Sequence, residues 1–336
     1  MQVRERNKIV YLHFLMSVLV ILIHSINNET KFEKFFSMEA GLGQFAVPLF
    51  FVISGFLFFR TVKTLNDVMQ KINKRVHTLL IPYMLWNLIY YVIYLLRTPG
   101  TYINILSIED AIFNFRYNPA FWFMFQLILL TIIAPILFYF LKNLWSIAIF
   151  YLVLYTLLIL DINIPYINED AMIYFFSGAI FSKLYNEQKI EFISKKNFVL
   201  ALIVFAFTFA LNRAAFETLK LLNQFITFYI VTIILERLAG CFLVFYFVDL
   251  IFKYEKVYGF MENTFFLYAI HYVIVRSMAH VLTFVEQRCA LGSMKLVVEI
   301  FVFILSPVVC VAINFYLTKF LKSKCNVLYK YLSGNR

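Results

Sequence analysis

Residues Val47–Asn87 decide the class of fold. Val47–Arg60 reads VPLFFVISGFLFFR, Ile72–Pro82 reads INKRVHTLLIP, and Tyr83–Asn87 reads YMLWN. An apolar helix carrying Pro48 and the pair Ser54-Gly55 is followed by a short basic segment, and a second apolar helix opens at Pro82-Tyr83. Backbone breakers and small polar residues are tolerated inside lipid where neighbouring helices or a cavity satisfy the freed groups. The basic residues between the two helices mark the side of the membrane they face. The stretch reads as part of a polytopic membrane protein with a built interior.

Composition extends this reading to the whole chain. Of 336 residues, 62% are hydrophobic and only 15% charged, and Phe alone occupies 41 positions. Repeated apolar runs of about 17 to 25 residues match the thickness of a bilayer core. The net charge of +11 is what cytoplasmic loops near anionic headgroups carry, and it does not point to nucleic acid. Cys241, Cys289, Cys310 and Cys325 are scattered, without paired metal spacing, and read as core packing. The start, MQVRERNK before an apolar run, lacks a small-residue cleavage site after Ile26 and reads as a retained first helix.

The pattern predicts an all-α bundle of about ten transmembrane helices, near 9–27, 42–60, 79–96, 120–141, 145–161, 170–184, 198–212, 225–251, 263–285 and 296–319. With no long hydrophilic stretch, residues 1–336 read as a single integral-membrane domain with no appended soluble domain. Segments 1–8, 60–78, 142–144, 183–197, 252–262 and 319–336 hold 20 of the 30 Lys and Arg residues, and the opposite loops hold 8. Both termini are therefore expected in the cytoplasm.

Polar residues inside these spans need a reason. The first helix carries His13, Ser17, His24 and Asn28, at offsets that keep all four on one face. His13 and His24 would lie roughly 16 Å apart along it. Such a stripe faces the bundle or a cavity, either for chemistry or for interhelical hydrogen bonds. Thr264, Tyr268 and His271 share a face of the ninth helix, with His271 readable as functional or as a structural hydrogen-bonding group facing the first helices. His280 falls on the opposite face. Glu236 and Arg237 lie mid-way along the eighth helix, where unpaired charge is costly, so either they pair across helices or the helix breaks. Trp122, Phe123 and Gln126 open the fourth helix and read as an interfacial belt with one polar contact. No phosphate loop, metal ligand set or nucleophile elbow occurs.

Taken in order, LVILIHS (19–25), VPLFFVISGFLFF, KRVHTLLIPYMLWN, AFWFMFQLILLTIIAPIL (120–137), YFFSGAIF (174–181) and FFLYAIH (265–271) resemble acyltransferase family 3 across nearly the whole chain. These are integral-membrane acyltransferases of the polysaccharide O-acetyltransferase type. The resemblance implies a cytoplasmic acyl-CoA donor, usually acetyl-CoA, with no bound cofactor. It implies a hydroxyl acceptor on an envelope or extracellular glycan or its lipid-linked precursor, in a bacterial cytoplasmic membrane. The family's Arg followed eleven residues later by His maps onto His13 and His24, so histidine replaces the arginine, and Val10 stands at an Asp position. Its basic motif maps onto Arg75 and Thr78, where the second Arg is missing; Lys74 and His77 are neighbours.

The expected mechanism has His24 as general base on the acceptor hydroxyl or as a transient acyl carrier. His13, Lys71, Lys74, Arg75, Tyr268 and His271 are candidates for contacts to acyl-CoA or substrate. Tyr268 and Asn87 are candidate oxyanion donors. The competing reading is a non-catalytic glycan or lipid transporter or a degenerate acyltransferase-like protein, although the halves show no repeat of the transporter kind.

Overall fold

The computed structural model describes residues 3–26, 31–36, 41–98, 105–186, 195–219, 226–253, 256–288 and 294–335. Asn28 and Cys289 lie outside the described residues. Among those described, every regular element is helical. The main helices are α1 (Val3–His24), α2 (Ala46–Phe59), α3 (Leu65–Arg75), α4 (Ile81–Arg97), α5 (Ile105–Phe113), α6 (Trp122–Ile132) and α7 (Ala134–Phe140). They continue as α8 (Leu144–Ile159), α9 (Glu169–Asn186), α10 (Lys195–Leu219), α11 (Ile226–Ile251), α12 (Thr264–Arg288), α13 (Lys295–Lys324) and α14 (Asn326–Ser333).

A helix occupies each of the ten expected segments, yet six described spans are long and apolar enough to cross a membrane, or seven if α6 and α7 form one. α6 and α7 meet at a 60° bend, where Pro135 removes a backbone donor and crowds the preceding turn. α8 has 16 residues, about 24 Å against a core of about 30 Å. Length and local polarity therefore separate some of these segments from a simple crossing.

The chain folds into two compact units that alternate along the sequence. One comprises Met1–Ala46, Asn73–Ile128 and Glu255–Arg336, and the other Val47–Ile72 and Leu129–Tyr254.

In the second unit, α2 and α9 approach backbone to backbone. A Cβ on Gly55 would lie 1.9 Å from the Phe175 carbonyl oxygen, and one on Gly178 would lie 2.0 Å from that of Val52. The Ser-Gly pairs of the two apolar helices thus serve as paired notches, the way small residues let lipid-embedded helices pack closely. Lys71 donates to the carbonyls of Leu57 (3.1 Å) and Phe58, closing the C-terminal end of α2. Its ammonium is engaged there.

α11 runs unbroken through Glu236 and Arg237, so the polar pair meets neighbouring helices without a helix break, and Arg237 Nε stays buried without a hydrogen-bond partner among the described residues. Asn212 of α10 donates to Glu236 at 2.5 Å and accepts from Thr232. Arg237 faces Asp170 of α9 at 3.9 Å, with their side chains 18% and 33% exposed. Asp170, in the first turn of α9, is the counter-charge.

In the first unit, α14 is fastened to the start of α4. Trp86 donates its indole N–H to the Leu332 carbonyl at 2.9 Å, and Phe266 packs edge-on against Trp86. Tyr329 donates to Asn263, the residue before α12. Gly334 ends α14 at φ +67°, and a Cβ there would lie 2.3 Å from the Thr78 carbonyl oxygen. Only glycine fits both the left-handed backbone and that approach without strain. Thr78 belongs to a π-helical turn, Val76–Leu80, inserted between α3 and α4; such turns occur often at functional sites. Cys241 and Cys310 are buried as expected, whereas Cys325 is exposed at the α13–α14 junction, where no core surrounds it.

Gly55→Leu and Gly178→Val are expected to remove most of the protein from the membrane fraction on immunoblots. Gly259→Ala, whose added Cβ meets only the Phe315 ring at 3.5 Å, should leave the amount unchanged. Asp170→Asn or Arg237→Gln alone strands a charge and should lower the thermal midpoint of the detergent-solubilised protein. The double substitution should cost less than the sum of the two; simple additivity would show that the pair is not coupled.

Candidate functional site

α1 ends on His24, and α12 presents Tyr268, His271, Tyr272 and Arg276 at helical spacings that align them on one stripe. All belong to the first compact unit. The His24 and His271 rings stand 5.2 Å apart between centroids, tilted by 42°. The Tyr272 ring meets His24 edge-on at 5.7 Å. Of the two candidate roles for His271, the geometry shows a residue that faces α1 and is fully buried, and it faces the other histidine itself.

Hydrogen bonding fixes the state of His271. Its Nδ1 lies 2.5 Å from the Tyr268 carbonyl oxygen. A carbonyl only accepts, so Nδ1 carries the hydrogen. Nε2 is then the lone-pair nitrogen, and it is buried without a partner. A buried acceptor left unsatisfied costs free energy and marks a site held ready for a proton or a donor from outside. His24 is not hydrogen-bonded to that nitrogen, so a proton passing between the two imidazoles would need a bridging water or acceptor.

The surrounding wall is aromatic and rigid. Tyr268 donates its hydroxyl to the Ala120 carbonyl, stacks on Phe121 at 6.1 Å and touches Phe123 at 5.8 Å. Its ring, 5.6 Å from that of His271, forms the side of the site. Tyr90 donates to the Ala269 carbonyl at 2.8 Å, and Asn87 returns its amide to the Tyr83 carbonyl at 2.9 Å. Phe123 packs on Tyr268, and Gln126, expected to make the one polar contact of the interfacial belt, is buried.

Tyr272 and Arg276 lie beside the histidines although the sequence reading gives neither a site role. Arg276 donates from Nε to the Tyr272 hydroxyl at 3.2 Å and lies over its ring at 5.6 Å. The signal was present: Tyr268, Tyr272 and Arg276 follow at four-residue intervals on the face of His271.

Other candidates lie elsewhere. His13 is half-buried on α1, eleven residues before His24, and its carbonyl accepts from Ser17 at 2.8 Å. Lys74 is exposed at the end of α3. Arg75 is half-buried, with no acidic side chain paired to it among the described residues. No contact joins Lys74 or Arg75 to either site histidine among the described residues. His280 is exposed, as its place on the opposite face predicts.

Long apolar helices that carry an imidazole pair and an arginine at mid-span are those of a multi-pass membrane protein. A family model described as an acyltransferase domain matches residues 8–315 of the 336-residue chain. The chain belongs to acyltransferase family 3 and is a membrane acyltransferase. No curated protein and no solved structure matches it.

His271→Phe keeps the ring volume and removes the lone pair. It should lower acyl transfer by about 100-fold or more while the protein remains in the membrane; activity within a factor of three of wild type would make His271 a packing residue.

Proposed function

We infer that this acyltransferase moves an acyl group, acetyl in the first instance, from cytoplasmic acyl-CoA to a hydroxyl of an envelope or extracellular glycan or its lipid-linked precursor. The observation that carries the reading is the His24–His271 pair, with one imidazole nitrogen buried and unpartnered. His24 takes the proton from the acceptor hydroxyl as its oxygen attacks the thioester carbonyl. His271, fixed as its Nδ1–H tautomer, offers Nε2 to pass that proton on. The leaving CoA thiolate is reprotonated by the same pair.

In this reading both termini face the cytoplasm of a bacterial cell membrane, and the donor enters there. Arg75 attracts its phosphates, aided by Lys74 and, from α1, by His13, which stands at the family's arginine position. Arg75 suits the role because no acid neutralises it. Tyr268 and His271 line the substrate side.

The test compares base-labile acetate on envelope glycan from wild-type, deletion and His24→Ala strains. Acetate is expected to disappear in both mutants while the His24→Ala protein stays in the membrane. Acetate retained in the His24→Ala strain rejects His24 as the base. Acetate unchanged even in the deletion strain rejects the acetylated glycan and brings the transporter reading forward.

A further inference from the structure

Arg276 sits at the centre of α12, twelve residues from either end of a helix long enough to cross the membrane. It is exposed, and no carboxylate pairs with it among the described residues. A guanidinium at that depth is unfavourable against lipid, so such residues face a water-filled interior or a partner. The side chain folds along the helix, with Nε bound to the Tyr272 hydroxyl 3.2 Å away. That bond orients the planar fork and leaves the Nη hydrogens without an acceptor among the described residues. Tyr272 accepts from Nε and retains its own hydroxyl hydrogen, and its ring lies against His24.

The other polar donors near the histidines are committed. Tyr268 serves the Ala120 carbonyl, Tyr90 that of Ala269, Asn87 that of Tyr83, and His271 Nδ1 that of Tyr268. Acyl transfer places negative charge on the carbonyl oxygen in the transition state, and that charge needs oriented donors.

We propose that Arg276 is a further catalytic residue, whose Nη groups, with the Tyr272 hydroxyl, hold the thioester carbonyl oxygen as it becomes an oxyanion beside His24. The inference rests on the acyl-CoA reading above. The acceptor oxygen forms a bond to the carbonyl carbon, its proton passes to His24, and the carbonyl π pair moves onto the oxygen held by Arg276. Collapse of that intermediate restores the C=O, breaks the C–S bond and expels CoA thiolate, which takes the proton back. The products are the acyl ester and CoA thiol.

The experiment follows thiol release from acetyl-CoA by the purified full chain in lipid nanodiscs, with water as the acceptor. Arg276→Ala should lower kcat by about 100- to 1,000-fold, with KM for acetyl-CoA within a factor of three. Millimolar guanidinium should restore at least ten-fold of that loss, and Arg276→Lys should fall between. Tyr272→Phe should lose about ten-fold by the same measure. A kcat near wild type in Arg276→Ala overturns the proposal, as does a loss confined to KM or one that guanidinium does not relieve. If Arg276→Ala does not accumulate, Arg276→Lys and Tyr272→Phe decide it by their kcat. Wild-type protein that releases no thiol rejects the acetyl-CoA donor itself, an outcome separate from failure of the arginine's role.

Discussion

A polar group inside a lipid-spanning helix has no water to turn to, and this constraint organises the molecule. Among the described residues, buried serine and threonine hydroxyls mostly return to their own helix. Ser17, Ser25, Thr208, Ser306 and Thr318 each donate to the carbonyl four residues earlier. Larger polar groups find a partner on another helix, as Asn212 does with Glu236 and Arg237 with Asp170. Where side chains would obstruct this, glycine brings the backbones together, as at Gly55 and Gly178. Because hydrophobic burial drives little association between helices in lipid, such contacts and close packing carry much of the fold's specificity.

Against that background, a buried nitrogen without a partner is informative. His271 Nε2 is such an atom, and it lies beside a second imidazole inside an aromatic wall. Its Nδ1 is bound to the Tyr268 carbonyl, which fixes the tautomer and leaves Nε2 as the open nitrogen. The same fixed geometry that makes the site costly in the resting protein removes the need to reorganise it during reaction.

Helix positions were readable from apolar run lengths, and the polar stripe of α1 pointed to His24. What sequence could not convey was which helix faces which. The pairing of His24 with His271 joins residues 247 positions apart, and only the packing of α1 on α12 creates it. Arg237 and Asp170 are likewise joined only by packing. The Ser-Gly pairs were visible as breakers in apolar helices, but their role needs both helices at once. Arg276 is visible in the sequence as an arginine within a span, but the approach of its partner Tyr272 to His24 exists only once α12 packs on α1. α14 lies beyond the family match, and its hold on the π-turn depends on a backbone approach at Gly334 that no composition rule reveals.

The site is cationic and contains no carboxylate among the contacts described, which sets it apart from triads that orient a histidine with an acid. Here orientation comes from a backbone carbonyl on His271 and from ring packing on His24. A carboxylate at the same depth would pair with Arg276 and occupy the donors that a developing oxyanion requires. Leaving the guanidinium unpaired preserves its charge for the transition state, where a low-dielectric setting makes that interaction stronger than in water. The cost of an unpaired cation at mid-span is then offset only when substrate is present. That is the behaviour expected of binding energy reserved for the reacting complex.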